Sequence, residues 1–71
     1  MERTDAGEGV LDEAELRLLS LVAEGHGMRR VARDLAISES TVRRRLASIQ
    51  QKLGGRSRIN TVYIAAKSGL I

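Results

Sequence analysis

The stretch 28–53, MRRVARDLAISESTVRRRLASIQQKL, holds two runs of apolar residues at helical spacing with a very short connection between them. The first run predicts a helix over about 28–35, and the second predicts a longer helix over about 39–53. Ser38 is placed to cap the longer helix, because a serine oxygen accepts a hydrogen bond from a backbone N–H of the first turn. These two helices and their connection decide how the rest of the chain is interpreted.

The connection between the two helices predicts a tight turn. Such a turn commonly needs one residue in the left-handed conformation, and the candidate is Ala36, for which that conformation costs roughly 1–2 kcal/mol. Close packing of the two helices needs a small residue on the first, Ala32, and an apolar one on the second, Val42. Helices of these lengths with so short a turn have the dimensions of a helix-turn-helix, whose second helix lies in the DNA major groove.

The sequence on either side predicts two more helices, which makes an all-α, four-helix domain. One covers about 12–24, and the other covers about 58–68 with Ser57 as its cap. Residues 1–10 are acidic and show no period, so they are predicted to be a disordered tail or linker stub. The domain itself is predicted to span 11–71.

Composition excludes several classes of protein. The chain of 71 residues has no cysteine and a single histidine, His26, so neither a disulfide nor a metal site is expected. We find no carboxylate pair, Cys/His couple or Gly-rich phosphate loop, so an enzyme is not expected and no cofactor is implied. We find no signal peptide and no long apolar run, and the expectation is a cytoplasmic protein with no membrane partner.

The net charge of +3 conceals a strong division along the chain. Residues 1–24 hold two basic and seven acidic residues, a net charge of −5, whereas residues 25–71 hold ten basic and two acidic residues, a net charge of +8. A basic segment of this density favours a polyanionic partner, because contact with phosphate releases the counterions of the polyanion.

Three consecutive arginines in the helix over 39–53 must point in different directions, since neighbouring side chains on a helix lie about 100° apart. If Val42 marks the buried side, Arg44 points directly away from the core, and Arg45 falls on a flank closer to the core. A stripe on the outer side is therefore predicted to contact DNA bases: Ser40, Arg43, Arg44 and Ala47. Arg45 is predicted to reach backbone phosphate, and the alternative for the whole run is a solvated charged surface.

Other residues of the same two helices are candidates for phosphate contacts. Ser38, Ser40 and Thr41 lie at the positive end of the longer helix, where hydroxyl and backbone donors favour an anion. Arg29 and Arg30 lie on the first helix of the pair, which usually crosses the DNA backbone. A solvated surface is the alternative for these two arginines.

Taken together, these segments resemble the LuxR-type (GerE-like) helix-turn-helix domain of bacterial transcription regulators. The resemblance runs from about Leu11 to Ile71 and is carried by LLSLVAEG, VARDLAISESTVRRRL, IQQKLG, the SR at 57–58 and the closing GLI. It implies a four-helix DNA-binding domain that pairs through its last helix on a two-fold related site. It also implies base contacts from Arg43, Arg44 and Ala47, and backbone contacts around Ser38, Thr41 and Lys52.

The sequence departs from the family pattern at three positions. Arg30 stands where glutamate is usual, and Arg45 stands where histidine is common. Ala47 replaces a residue that is often polar, and its methyl group can touch a thymine methyl but cannot donate a hydrogen bond. The DNA sequence preference of the family is therefore not expected to transfer to this chain.

The fourth helix offers two opposite faces. A stripe at helical spacing predicts the buried face: Ile59, Val62, Tyr63, Ala66 and Leu70. The opposite face is then predicted to form a homodimer contact: Thr61, Ile64, Ala65 and Ser68. The alternative is that Ile64 and the nearby Ile71 are ordinary exposed apolar residues, since single ones are common on protein surfaces.

These observations predict sequence-specific binding of double-stranded DNA by a dimeric bacterial transcription regulator, with the helix over 39–53 in the major groove. The alternative is a protein-interaction module of the same fold that contacts another regulator or RNA polymerase, with DNA contact secondary. The outer face of the helix over 39–53 separates the two, because arginines there favour DNA and an apolar patch would favour a protein.

Overall fold

The computed structural model describes residues 10–71, and the described part is built from helices. The helices are α1 (Glu13–Ala23), α2 (Met28–Leu35), α3 (Glu39–Leu53) and α4 (Arg58–Lys67). The predicted all-α architecture with a helix-turn-helix is confirmed. The tail predicted over 1–10 lies outside the described residues except for Val10, which packs against the core.

The helix ends follow from local side-chain chemistry. Asp12 caps α1 through a reciprocal pair of hydrogen bonds, in which its Oδ1 accepts from the Glu15 N–H at 2.8 Å and Glu15 Oε1 accepts from the Asp12 N–H at 2.9 Å. Ser38 Oγ accepts from the Thr41 N–H at 3.1 Å, and Ser57 Oγ accepts from the Asn60 N–H at 3.0 Å. Both predicted serine caps are therefore confirmed.

The turn between α2 and α3 passes through Ala36 in the left-handed conformation, with φ 58° and ψ 42°, as predicted. The Ala36 N–H donates to the Arg33 carbonyl at 3.2 Å, and the Ile37 N–H donates to the Ala32 carbonyl at 3.0 Å. These bonds satisfy two carbonyls in the last turn of α2, and the left-handed residue ends the helix there. Ala36 is the one non-glycine residue with positive φ in the described part of the chain.

α3 lies at the centre of the domain and contacts each of the other three helices. Its buried residues, Val42, Leu46 and Ile49, belong to a core that α1, α2 and α4 complete. The other buried apolar residues are Leu11, Leu18, Leu19, Val22, Val31, Ala32 and Ala65. Within residues 10–71, none of the helices is long and apolar enough to cross a membrane.

The predicted orientation of α4 is wrong for three of the five residues assigned to its buried face. Thr61 and Ala65, predicted to form an outer dimer face, are fully buried in the core of the single chain. Ile59 and Tyr63, predicted to be buried, are 82% and 58% exposed, and Ala66 is exposed as well. Val62 and Leu70 pack against the core as predicted. The dimer interface predicted on Thr61, Ile64, Ala65 and Ser68 is therefore corrected, because two of its four side chains are inaccessible to a partner.

The small side chains on the inner face of α4 explain this orientation. The Thr61 hydroxyl donates to the Ser57 carbonyl at 2.6 Å, so its polar atom is satisfied inside the helix and the residue can be buried. Gly55 lies directly against Thr61, and a Cβ atom on Gly55 would come within 3.0 Å of Thr61 Cα. The chain can thus approach α4 closely on this side, and Ile59 and Tyr63 remain outside.

Replacing Ala36 with glycine tests the strain at the turn. Ala36→Gly is expected to raise the free energy of unfolding by about 0.5–1 kcal/mol. Loss of the left-handed penalty stabilises the folded state by more than the extra entropy of glycine stabilises the unfolded chain. Urea unfolding followed by circular dichroism measures the change. Ala47→Gly, at an exposed position within α3, serves as control and is expected to lower the free energy of unfolding by about 1 kcal/mol. Destabilisation by Ala36→Gly would contradict the prediction.

Candidate nucleic-acid interface

The outer surface of α3 carries the predicted base-reading stripe. Burial of Val42 on the inner side leaves Ser40, Arg43, Arg44 and Ala47 exposed. The structure thus brings these four residues together on one accessible face. Contact between these residues and DNA bases stays a prediction.

The residues at the N-terminus of α3 form a small network of hydroxyl groups. The Ser38 hydroxyl donates to Thr41 Oγ1 at 2.9 Å, and Ser38 Oγ lies 3.2 Å from Ser40 Oγ. Arg44 Nη2 also lies at the edge of bonding distance from Thr41 Oγ1, at 3.5 Å. Because Thr41 Oγ1 accepts these bonds, the hydrogen of its own hydroxyl points elsewhere and can be donated to a phosphate oxygen. The Ser38 hydroxyl is less suited to such a contact, because it already donates to Thr41.

A carboxylate from the start of α3 contacts two of the predicted DNA-binding arginines. Glu39 Oε1 lies 3.3 Å from Arg43 Nη2, one helical turn further along α3. Glu39 Oε2 lies 3.8 Å from Arg29 Nε on α2. The carboxylate therefore links the two helices of the motif at the surface that would face DNA.

The remaining arginines predicted to contact phosphate lie in different surroundings. Arg30 Nε donates to Asp34 Oδ2 at 3.3 Å within α2, and its side chain remains half exposed. Arg45 faces α1, where it lines an open groove with Glu13, Arg17 and Leu35. Arg45 thus lies beside the exposed stripe of α3 instead of within it, as the helical wheel predicts.

Lys52 differs from the other predicted phosphate contacts because it forms a short ion pair within the chain. Its Nζ lies 2.7 Å from Glu15 Oε2, and the Glu15 side chain is only 13% exposed. The other oxygen of Glu15 accepts from the Asp12 N–H, so one carboxylate both caps α1 and ties it to the end of α3. This arrangement gives Lys52 a structural role that the sequence pattern did not reveal.

Two further polar residues border the stripe and were not among the predicted contacts. Arg58, at the first position of α4, lines an open groove with Gln50 and the α3 residues Arg43, Leu46 and Ala47. Gln50 lies two helical turns beyond Arg43, a spacing that could have indicated it. Arg58 could have been found from its position, because it directly follows Ser57, the cap of α4, in the SR pair at 57–58.

No predicted contact implies a metal, and residues 10–71 bring together no group of three His, Asp or Glu side chains that could hold one. The candidate site is instead a convex, arginine-bearing helix preceded by a left-handed turn and a second helix. That geometry defines the helix-turn-helix class of DNA-binding domain.

Comparison with known proteins identifies the family. The family described as "Bacterial regulatory proteins, luxR family" (GerE) matches residues 10–65, and the chain belongs to this family of DNA-binding transcription regulators. The resemblance inferred from the sequence is thereby confirmed.

Two relatives illustrate the similarity. The chain is 42% identical over 64 residues to the transcriptional regulatory protein YdfI of Bacillus subtilis, a match that covers 90% of this chain and 30% of YdfI. It is 36% identical over 62 residues to the oxygen regulatory protein NreC of Staphylococcus aureus, covering 87% of this chain and 29% of NreC. The chain thus spans less than a third of the length of the relatives it matches.

The Glu15–Lys52 ion pair can be tested through stability. A double-mutant cycle with Glu15→Gln and Lys52→Met is expected to give a coupling of about 0.5–1 kcal/mol, because the two groups are close and the carboxylate is largely buried. Urea unfolding at low and high salt measures it. The exposed pair of Arg30 and Asp34 provides the matched control and is expected to couple more weakly. Absence of coupling between Glu15 and Lys52 would refute the structural role.

Proposed function

We propose that this domain binds double-stranded DNA in a sequence-specific manner as part of a bacterial transcription regulator, with α3 in the major groove. The observation that carries the proposal is the exposed stripe on α3, where Arg44 lies opposite the fully buried Val42 and Arg43 lies on one flank of the stripe. Because its inner side is buried in the core, α3 presents its outer side in one fixed orientation. A helix must be fixed in this way if its side chains are to recognise base edges.

The chemistry of the stripe suits base recognition. An arginine side chain can donate two hydrogen bonds to the O6 and N7 acceptors of guanine, and the methyl group of Ala47 can contact the methyl group of thymine. The net charge of +8 on residues 25–71 supplies the attraction to phosphate that positions such a helix. Thr41, Arg29, Arg30 and Arg45 are the residues that we assign to the DNA backbone.

Two relatives are named as regulatory proteins, which supports a regulatory role for this chain. The alternative, a module of the same fold that contacts another regulator or RNA polymerase, would fit an apolar outer face on α3 better than the arginines that occupy it. We therefore place DNA first and propose no catalytic role.

We further propose that two copies pair through the face of α4 that the structure leaves exposed. Ile59 and Tyr63 are separated by one helical turn and are among the most exposed large apolar side chains of the described chain. Lys67 Nζ lies 5.7 Å from the centre of the Tyr63 ring and extends this face by a cation–π contact. A two-fold axis beside α4 would place the same patch of both copies in contact.

Loss of the α3 arginines should reduce both affinity and selectivity. Arg43→Ala and Arg44→Ala are each expected to weaken binding to a preferred duplex by about 1–3 kcal/mol, with a smaller loss on a scrambled duplex. Arg45→Ala should weaken binding to both duplexes alike and reduce the salt dependence, as expected for a phosphate contact. Fluorescence anisotropy titrations over a range of salt concentrations measure these changes.

The preferred duplex for these titrations is recovered from a random pool by selection with the wild-type chain. Arg17→Ala removes the same charge from α1 and serves as control, with a small and equal loss expected on both duplexes. Equal losses on the two duplexes for Arg43→Ala and Arg44→Ala would refute base reading. Failure of the wild-type chain to enrich any sequence would refute sequence-specific binding.

The dimer face is tested by placing a charge on it. Ile59→Glu and Tyr63→Glu are each expected to lower affinity for a duplex with two half-sites by about tenfold, while affinity for one half-site stays unchanged, because only the paired complex buries these side chains. Anisotropy titration on both duplexes and sedimentation of the complexes measure the effect. Ser68→Glu is the control, because Ser68 lies on the side of α4 that the sequence predicted to form the dimer contact. Disruption by Ser68→Glu alone would place the contact on that side.

A further inference from the structure

Glu39 is the single carboxylate on α3, and it lies within the arginine-bearing surface. It occupies the first position of the helix, and its side chain is 40% exposed. Each of its oxygens faces a different arginine, with 3.3 Å from Oε1 to Arg43 Nη2 and 3.8 Å from Oε2 to Arg29 Nε. A negative charge in this place requires an explanation, since the surrounding surface is proposed to bind a polyanion.

The preference of helices for acidic residues in their first turn explains only part of this arrangement. An acidic side chain there stabilises a helix through the helix dipole wherever it points. The Glu39 carboxylate instead lies beside Arg43 on α3 and Arg29 on α2, which are proposed to contact a base and a phosphate. Its charge is therefore positioned to act on both kinds of contact.

The carboxylate affects the two kinds of contact in opposite ways. It repels a phosphate that approaches Arg29 or Arg43, and in the major groove it repels the O6, N7 and O4 acceptors of the bases. It can accept a hydrogen bond only from an exocyclic amino group, foremost the N4 group of cytosine. Binding to DNA that offers no such group desolvates the carboxylate and leaves Arg43 as its one hydrogen-bond donor, which is costly.

We propose that Glu39 is a specificity-determining residue, which weakens binding to DNA in general and favours sites that present a cytosine amino group beside the base read by Arg43. The inference rests on the proposed DNA-binding function and adds a residue and a base chemistry to it. Arg43 then reads its base from a position that its contact with Glu39 favours over the nearest phosphate.

The decisive variant is Glu39→Gln, which retains the size of the side chain and removes its charge. Glu24→Gln is the matched control, because it makes the same change of net charge at the end of α1, where Glu24 pairs with His26 at 3.3 Å. Glu39→Asp keeps the negative charge, and with it the repulsion of phosphate, but the shorter side chain loses the contact with Arg43. It therefore distinguishes the two effects of the carboxylate. Circular dichroism confirms that all three variants fold.

Each variant and the wild-type chain are used to select duplexes from one random pool, and affinities are then measured on the preferred wild-type duplex and on a scrambled one. Glu39→Gln should bind the scrambled duplex more tightly and lower the ratio of the two affinities by about tenfold, the value of one good base contact. Its selected sequences should lose a cytosine requirement that the wild type shows. Glu39→Asp should bind the scrambled duplex as weakly as the wild type.

The outcomes separate the inference from the function on which it rests. If Glu39→Gln selects the same sequences with the same affinity ratio as the wild type, or if Glu24→Gln lowers the ratio equally, the role of Glu39 is refuted while DNA binding stands. If the wild-type chain selects no sequence and Arg44→Ala changes nothing, the proposed function fails and the inference falls with it.

Discussion

Burial of the inner side of α3 is the constraint on which the rest of the structure depends. Val42 and Ile49 are fully buried, and α3 packs against each of the other three helices. Rotation of α3 about its axis would expose these side chains to water, at a cost of about 1.5–3 kcal/mol for each. This packing directs Arg43 and Arg44 toward solvent, whether or not their side chains form contacts within the chain.

Ion pairs at the two ends of α3 complement this packing. At the N-terminal end, Glu39 joins α3 to α2 through Arg29 on the surface proposed to face DNA. At the other end, the short pair of Lys52 and Glu15 joins α3 to α1, where the carboxylate is largely buried. The acidic N-terminal and basic C-terminal parts of the sequence therefore meet in the fold, and one lysine predicted to contact DNA is held by an internal partner.

Much of the fold was predictable because its determinants are local. The bounds of α2 and α3, the serine caps and the left-handed turn at Ala36 each depend on residues only a few positions apart. The face of α4 was not predictable in this way. Residue size favoured burial of Ile59 and Tyr63, whereas the satisfied hydroxyl of Thr61 and the close approach of Gly55 turned the helix the other way.

The sequence by itself determined where the helices begin and end, that α2 and α3 form a helix-turn-helix, and that Arg44 lies opposite the core stripe of α3. These features follow from helical periodicity and from hydrogen bonds within single turns. Only the tertiary structure decided which side of α4 is left for a partner, and that Lys52 pairs with a glutamate 37 residues away. Those outcomes depend on how separate helices approach one another, and side-chain size and charge along one helix do not specify that approach.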